Sequence, residues 1–409
     1  MRLLYIVQRY GRDIAGGAEQ FCRQMASRMA ARGHHVEVVT SCAVSYADWA
    51  NVLPIGDELI DGVLVHRLPV ERPRDNHVFG ALNARVVAGS KPVPLYLQRE
   101  WMRQQGPEVA GIDTWIEANA ERFDAAIACT YLYYTTWKAL PVASAMLPTV
   151  LHPTAHDEPP IYLPLFDLMM RLPHAFGFLT EEEAGLVRRR FRVLRPSTVT
   201  GIGVELDASG DGAGFRSRHD LGDAPYLVYV GRIDPHKGAA ELVDQFRTYK
   251  SRNRGPLKLV MVGDEVWPVP EDPDIVVTGF VSEQEKRDAI DGSLALVHPS
   301  YFESFSMALS EAWAQGKPAL VQGRCEVLVG QATRSGGALP YRGFAEFEDA
   351  LKVFEDDHLL VSRLARAGQR YVERRYRWDT VLTRYERFLD RTVDRATPRL
   401  TGQRASEMS

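Results

Sequence analysis

Short apolar runs alternate along the whole chain with stretches whose apolar residues recur every three or four positions, and this alternation restricts the fold more than any other feature. Runs at 3–7, 35–40, 63–67, 125–129, 149–152 and 197–200 read as strands, and the stretches 18–32 and 180–190 as amphipathic helices. The pattern resumes at 227–231, 257–263, 275–278 and 293–297, with one helix reaching to 249 and another over 282–291. Strands joined through helices pair in parallel, in sheets covered on both faces. At 409 residues the chain is too long for one ordinary core and suits two. No short repeat is visible, so the expectation is two doubly wound α/β domains and not a solenoid.

The glycine-rich segment 201–214 is the best boundary by composition, and its glycines are expected to permit a hinge. The predicted division is a first domain over 1–200, a linker over 201–214, a second domain over 215–375, a helical segment over 376–395 and a polar, disordered tail over 396–409. The stretch 69–107 has no clean period and is expected to shape an acceptor site.

Composition narrows the function. With 45% hydrophobic and 25% charged residues the chain reads as an ordinary soluble globular protein. A net charge of −4 argues against a general nucleic-acid binder. The four cysteines, Cys22, Cys42, Cys129 and Cys325, form no Cys-x-x-Cys pair and suggest neither a disulfide framework nor a zinc site, so a reducing cytoplasm is expected. The opening apolar run meets Gln8 and Arg9 too soon for a signal peptide or a membrane span.

The densest chemistry lies after the run 293–297, where His298-Pro-Ser300 leads to Glu303, a Ser-Phe-Ser insert and Glu311. A helical pattern beginning near Phe305 would put Glu303 at a helix N-terminus, among backbone donors that also bind anions. Glu311 would follow a little over two turns on, so both acids could border one cleft. Earlier, Gly231-Arg232 closes a strand and Lys237-Gly238 opens a helix, the place where open α/β sheets bind ligands. An arginine fork and a lysine point charge are complementary ways to hold phosphate oxygens.

These two motifs, Gly231-Arg232 with Lys237-Gly238 and Glu303-x7-Glu311 with Gly316-Lys-Pro318, resemble the signature of retaining glycosyltransferases of family 4. The resemblance runs more loosely from the first strand to about Phe388. It implies the GT-B fold: two Rossmann-like domains facing across a cleft, with a C-terminal helix crossing back to the first. It implies a sugar moved from a nucleotide donor, UDP- or GDP-linked, to a hydroxyl acceptor such as a polysaccharide, glycolipid or metabolite precursor. By resemblance Arg232 and Lys237 stabilise the departing diphosphate, Glu303 lies near the donor sugar and Glu311 binds the ribose hydroxyls. Gly231 and the backbone donors of Phe305, Ser306 and Met307 complete the donor site. The family often has glycine where Ser306 stands, a departure that bears on donor-sugar identity.

In the first domain Gly16-Gly17 permits close backbone approach to a ligand and matches in position the family's glycine loop. No Gly-x-Gly-x-x-Gly accompanies it, which counts against a dehydrogenase. The family places a histidine against the donor sugar after the 149–152 strand; His156, backed by Asp157, is favoured, with His152 the alternative. Glu181, Glu182 and Glu183 read as a solvated helix start. Arg188, Arg189, Arg190, Arg192 and Arg195 read as a solvated face, or as attraction to anionic lipid in a peripheral membrane contact. Asp272-Pro-Asp274 precedes a strand instead of following one, and no metal is expected. The competing functions are a sugar-nucleotide epimerase or hydrolase on the same fold, and a non-catalytic sugar-nucleotide binder.

Overall fold

The computed structural model describes residues 1–14, 16–88 and 91–396, with the backbone of the last helix running on to Glu407. The chain divides into two compact units, one of Met1–Thr200 with Leu382–Ser409 and one of Gly201–Val381.

The first unit holds an eight-stranded sheet. Its strands are β1 (Arg2–Ile6), β2 (His35–Ser41), β3 (Gly56–Ile60), β4 (Val63–Leu68), β5 (Ala125–Cys129), β6 (Thr149–His152), β7 (Ala175–Phe178) and β8 (Ser197–Val199), in the order β3-β4-β2-β1-β5-β6-β7-β8. All neighbours are parallel except β3 and β4. Leu3 to Ile6 are wholly buried, because helices cover both faces and every side chain of the strand meets apolar neighbours. The β3–β4 hairpin turns at Asp61-Gly62, with φ of 49° and 79°, the mirror-image turn that matches strand twist. The stretch 69–107 is more regular than its sequence suggests. It contains the helices Asn76–Val86, capped by Asp75, and Leu95–Gln105, whose Trp101 and Met102 are buried with Val86 in one core.

The second unit is a six-stranded, all-parallel sheet of β9 (Tyr226–Val230), β10 (Lys258–Val262), β11 (Ile275–Gly279), β12 (Ala295–His298), β13 (Ala319–Gln322) and β14 (Ala338–Tyr341). The order β11-β10-β9-β12-β13-β14 is that of a Rossmann domain. The segment expected to be a hinge is packed into this unit. An added Cβ at Gly201 would lie 2.4 Å from the Tyr376 ring, and one at Gly203 would lie 2.1 Å from Trp378. The helix Gly212–Arg218 is tied down by Asp288, which accepts the Asp211 N–H at 2.8 Å, and by Asp291, which accepts that of Gly212 at 3.0 Å. These glycines serve close packing.

Two helices end the chain, His358–Arg375 and Trp378–Glu407, and from Leu382 the second belongs to the first unit. Of the tail expected over 396–409, everything after Ala396 lies outside the described side chains. Among the described residues no helix is long and apolar enough to cross a membrane.

Candidate functional site

Strand order in the second sheet reverses between β9 and β12, so the loops after these two strands open side by side at the C-terminal edge. Both loops carry the sequence motifs. Gly231, with φ of 149°, follows β9 and leads to Arg232, whose guanidinium pairs with Asp234 at 3.0 Å. Asp234 also accepts the His236 N–H at 2.9 Å and so shapes the turn that carries Lys237. Gly238 must be glycine for two reasons: its φ is 77°, and an added Cβ would lie 2.4 Å from the Pro299 carbonyl oxygen. That contact draws the two loops together.

The consequence is an ion pair between motifs far apart in sequence. Lys237 Nζ donates to Glu303 Oε1 at 2.9 Å and lies 3.4 Å from the Phe302 carbonyl oxygen. The ring of His298, buried at the end of β12, has Nε2 3.6 Å from the same carboxylate oxygen. Burial pushes the His298 pKa below its ordinary value, partly opposed by Glu303. Tyr229, one strand turn before Arg232, donates its hydroxyl to the Arg232 carbonyl at 2.7 Å. Its pKa is raised, first by burial and then by the charges of Glu303 and Asp234.

Glu303 is not at a helix N-terminus, where a helix beginning near Phe305 would have put it. The helix is Met307–Ala314, and Glu303 lies in the loop before it, held by Lys237. The cap is Ser306, with φ of 72°, whose Oγ accepts the Leu309 N–H at 3.2 Å. The Phe305 side chain is buried edge-on against Tyr376, with ring centres 5.0 Å apart, so only its backbone could meet a ligand. Met307 opens the helix. Glu311 accepts from Lys286 at 2.9 Å, and Lys286 also pairs with Glu283 at 2.8 Å. Burial works against the Lys286 charge, but the two carboxylates outweigh it and hold its pKa above the ordinary lysine value. Sequence reasoning missed Lys286 and His298; His298 was legible as a polar residue ending an apolar strand, whereas Lys286 lies on a helix with no motif.

In the first unit, Gly16 caps the helix Gly17–Ala31 with φ of 141°, and an added Cβ there would lie 2.3 Å from the Glu19 carboxylate. Glu19 is itself buried in an ion pair with Arg9 at 2.5 Å, and Arg9 also donates to the Val44 carbonyl at 2.7 Å. This pair, also missed, frames the glycine loop. No added atom at Gly17 would meet a described neighbour within 4 Å, so the helix start is open to a ligand.

The two histidine alternatives have different surroundings. His152 is wholly buried, its Nε2 3.0 Å from the Tyr385 hydroxyl, and burial pushes its pKa down to about 3. It is a core residue, neutral at physiological pH. His156 is partly exposed and its Nδ1 lies 3.6 Å from Glu158. Asp157, expected to back it, instead accepts from the Tyr162 hydroxyl at 2.5 Å. Glu183 is not solvated: its carboxylate accepts the N–H of Ala155 at 2.8 Å and that of Leu179 at 2.6 Å, and burial pushes its pKa up to about 8. Asp272 and Asp274 are engaged by Arg247 at 2.9 Å and Lys250 at 3.1 Å.

The two Rossmann-like units define a GT-B protein. Residues 215–334, which hold every motif residue of the second unit, match the family model described as glycosyl transferases group 1. The chain is similar to glycogen synthase from Mycobacterium tuberculosis, at 24% identity over 94% of this chain and 93% of that protein. Over 49% of its length it is 30% identical to D-inositol 3-phosphate glycosyltransferase from Streptomyces avermitilis, covering 48% of that protein. Among solved structures, sucrose-phosphate synthase from Thermosynechococcus elongatus superposes with a TM-score of 0.73 at 15% identity, over 96% of this chain and 99% of the other. Anabaena HepE in complex with UDP-glucose does so with a TM-score of 0.66 at 15% identity, over 95% and 99%. The domain match and the relatives support a transferase acting on sugars.

Proposed function

We propose that this chain is a retaining glycosyltransferase of family 4 that moves a hexosyl group from a UDP- or GDP-linked donor to a hydroxyl acceptor. The observation that carries the reading is the Lys237–Glu303 pair, which joins the two motifs at the strand-order reversal of a Rossmann sheet. The binding of UDP-glucose by a protein of the same fold supports the donor class.

Breaking the anomeric bond builds negative charge on the diphosphate and positive charge on the sugar. Arg232 and Lys237 stabilise the first; held by Asp234 and Glu303, they are ordered before a ligand arrives. Glu303 stands by the donor sugar, and Glu311, oriented by Lys286, takes the ribose hydroxyls. In the first unit Gly16 and Gly17 serve the diphosphate, and His156 the donor sugar. With no enzymatic nucleophile assigned, the acceptor attacks the face that the diphosphate leaves, and the leaving phosphate takes the acceptor proton. The reading asks for no metal. Its setting is the cytoplasm, in the building of a polysaccharide, glycolipid or glycosylated metabolite; four unpaired cysteines support a reducing compartment.

Incubation with a panel of UDP- and GDP-sugars, followed by proton NMR of the product, tests the reading. Retained anomeric configuration is expected, and inversion would refute it. Lys237→Ala is expected to lower turnover by roughly 10²–10³-fold without loss of folding, and near-normal turnover would remove Lys237 from the reaction. Donor consumption without an acceptor would favour a hydrolase or epimerase, and no consumption a binding protein.

A further inference from the structure

The arginine run at 188–195 belongs to a chain of net charge −4, and the reaction above does not use it. Arg188 donates to the Ser197 hydroxyl at 2.7 Å, and two further members hold a neighbouring segment. Arg190 donates to the carbonyl oxygens of Ile161 at 3.1 Å and Tyr162 at 3.1 Å, and pairs with Asp167 at 2.8 Å. Arg195 donates to the Arg171 carbonyl at 2.9 Å. These bonds clamp the segment that follows His156 against the exit of the helix Glu181–Phe191.

The clamp leaves an unusual surface. Leu194 is 95% exposed, Leu168 69% and Tyr162 53%, while Arg171, Arg192 and Arg195 are exposed with them. Single exposed apolar residues are common and need no explanation. Large apolar tips among cations, Tyr162 and Leu168 on the clamped segment and Leu194 beside the Arg195 that bonds it, are a different case, because the one carboxylate of that segment beyond residue 160, Asp167, is already engaged by Arg190. Cations alone would suit any polyanion. Leucine tips add a requirement for an apolar phase beside the anionic layer, and the tyrosine that could stack on a base is pinned by its bond to Asp157.

We infer that this surface docks the first unit onto an anionic phospholipid bilayer, with Leu168 and Leu194 entering the interface and Arg171, Arg192 and Arg195 meeting headgroup phosphates. The clamped segment begins at Pro159, shortly after His156, so docking holds the residue assigned to the donor sugar near the lipid surface. The inference does not depend on the transfer reading, since it rests on exposure and charge alone.

Co-sedimentation with vesicles tests it, using phosphatidylcholine alone and phosphatidylcholine mixed with phosphatidylglycerol. The full chain is expected to pellet with the mixed vesicles only. Arg171→Gln with Arg192→Gln should weaken this about 25-fold, from about fivefold for each cation near an anionic surface. Leu168→Ser with Leu194→Ser should weaken it about tenfold or more at unchanged charge. All four side chains are exposed, so unaltered melting temperatures are expected. As a second readout, Leu194→Cys can be labelled with an environment-sensitive fluorophore, because the native cysteines are all buried; its emission should shift to the blue on mixed vesicles. Absence of pelleting, an unshifted label, or a leucine variant that binds like its parent would overturn the proposal, the last by showing a charge-only surface for some other polyanion.

Discussion

Ser306 holds φ of 72° and ψ of 92°, a backbone conformation that side chains with a Cβ rarely adopt. The chain tolerates it because the Ser306 hydroxyl accepts the Leu309 N–H and starts the helix that carries Glu311. This gives a physical reason for glycine at the position in the family that the motif resembles: glycine takes the conformation without strain. The two effects differ in size. Relief of a strained residue is worth about 1–3 kcal/mol, whereas replacing a serine cap by glycine costs only a few tenths. Ser306→Gly is therefore expected to stabilise the second unit by about 1 kcal/mol, and Ser306→Ala, which keeps the strain and loses the cap, to destabilise it by about the same amount. Urea midpoints of the two variants against the parent measure this; a glycine variant less stable than the parent would mean that the serine conformation carries no strain.

Among the elements, the helix Glu181–Phe191 shows how a carboxylate can be read wrongly from sequence. Three consecutive glutamates suggest a solvated first turn, but Glu183 turns inward and joins this helix to the loop after β6 through the Ala155 N–H. Its pKa is pushed up to about 8 from 4.5, with burial outweighing the backbone donors. Over that window the folded chain binds one more proton than the unfolded chain, so stability from this group falls as pH rises from 4.5 to about 8. Glu183→Gln keeps an acceptor and removes the titration. Melting temperatures of parent and variant should diverge towards pH 8, the parent falling relative to the variant; parallel curves would show that the carboxylate is already ionised in the fold. The example marks a boundary of legibility. Buried parallel strands such as β1, β5, β9 and β12 are visible as apolar runs because both faces are covered. Strand β3, Gly-Asp-Glu-Leu-Ile at the sheet edge, has four of its five residues exposed and no such run, so only the Asp61-Gly62 turn could have revealed it. Arg232, Lys237 and Glu303 were legible because motif spacing reports loop geometry. The partners Arg9, Glu19 and Lys286 were not, because pairing depends on which elements the topology makes neighbours.

For the molecule as a whole, the decisive fact is that the first unit is discontinuous in sequence, with residues from Leu382 completing it. The returning helix buries Tyr385, Phe388 and Leu389. Its Arg384 donates to the carbonyl oxygens of Val199 at 3.1 Å and Thr200 at 3.0 Å, and its Glu386 pairs with Arg32 at 2.9 Å. Without it, His152 would lose the Tyr385 hydroxyl and remain a buried imidazole with an unmet nitrogen. Three large apolar side chains are worth about 1.5–3 kcal/mol each, so their sum rivals the 5–15 kcal/mol by which domains of this kind are stable. A chain of residues 1–200 is thus expected to lack a cooperative thermal transition. Joining residues 377–396 to it through a long glycine-serine linker should restore one, because the added helix supplies the missing apolar faces and the partner of His152. Circular dichroism melts of the two chains decide the matter: a sharp transition at the same temperature in both would mean that the helix adds nothing to the first unit's stability.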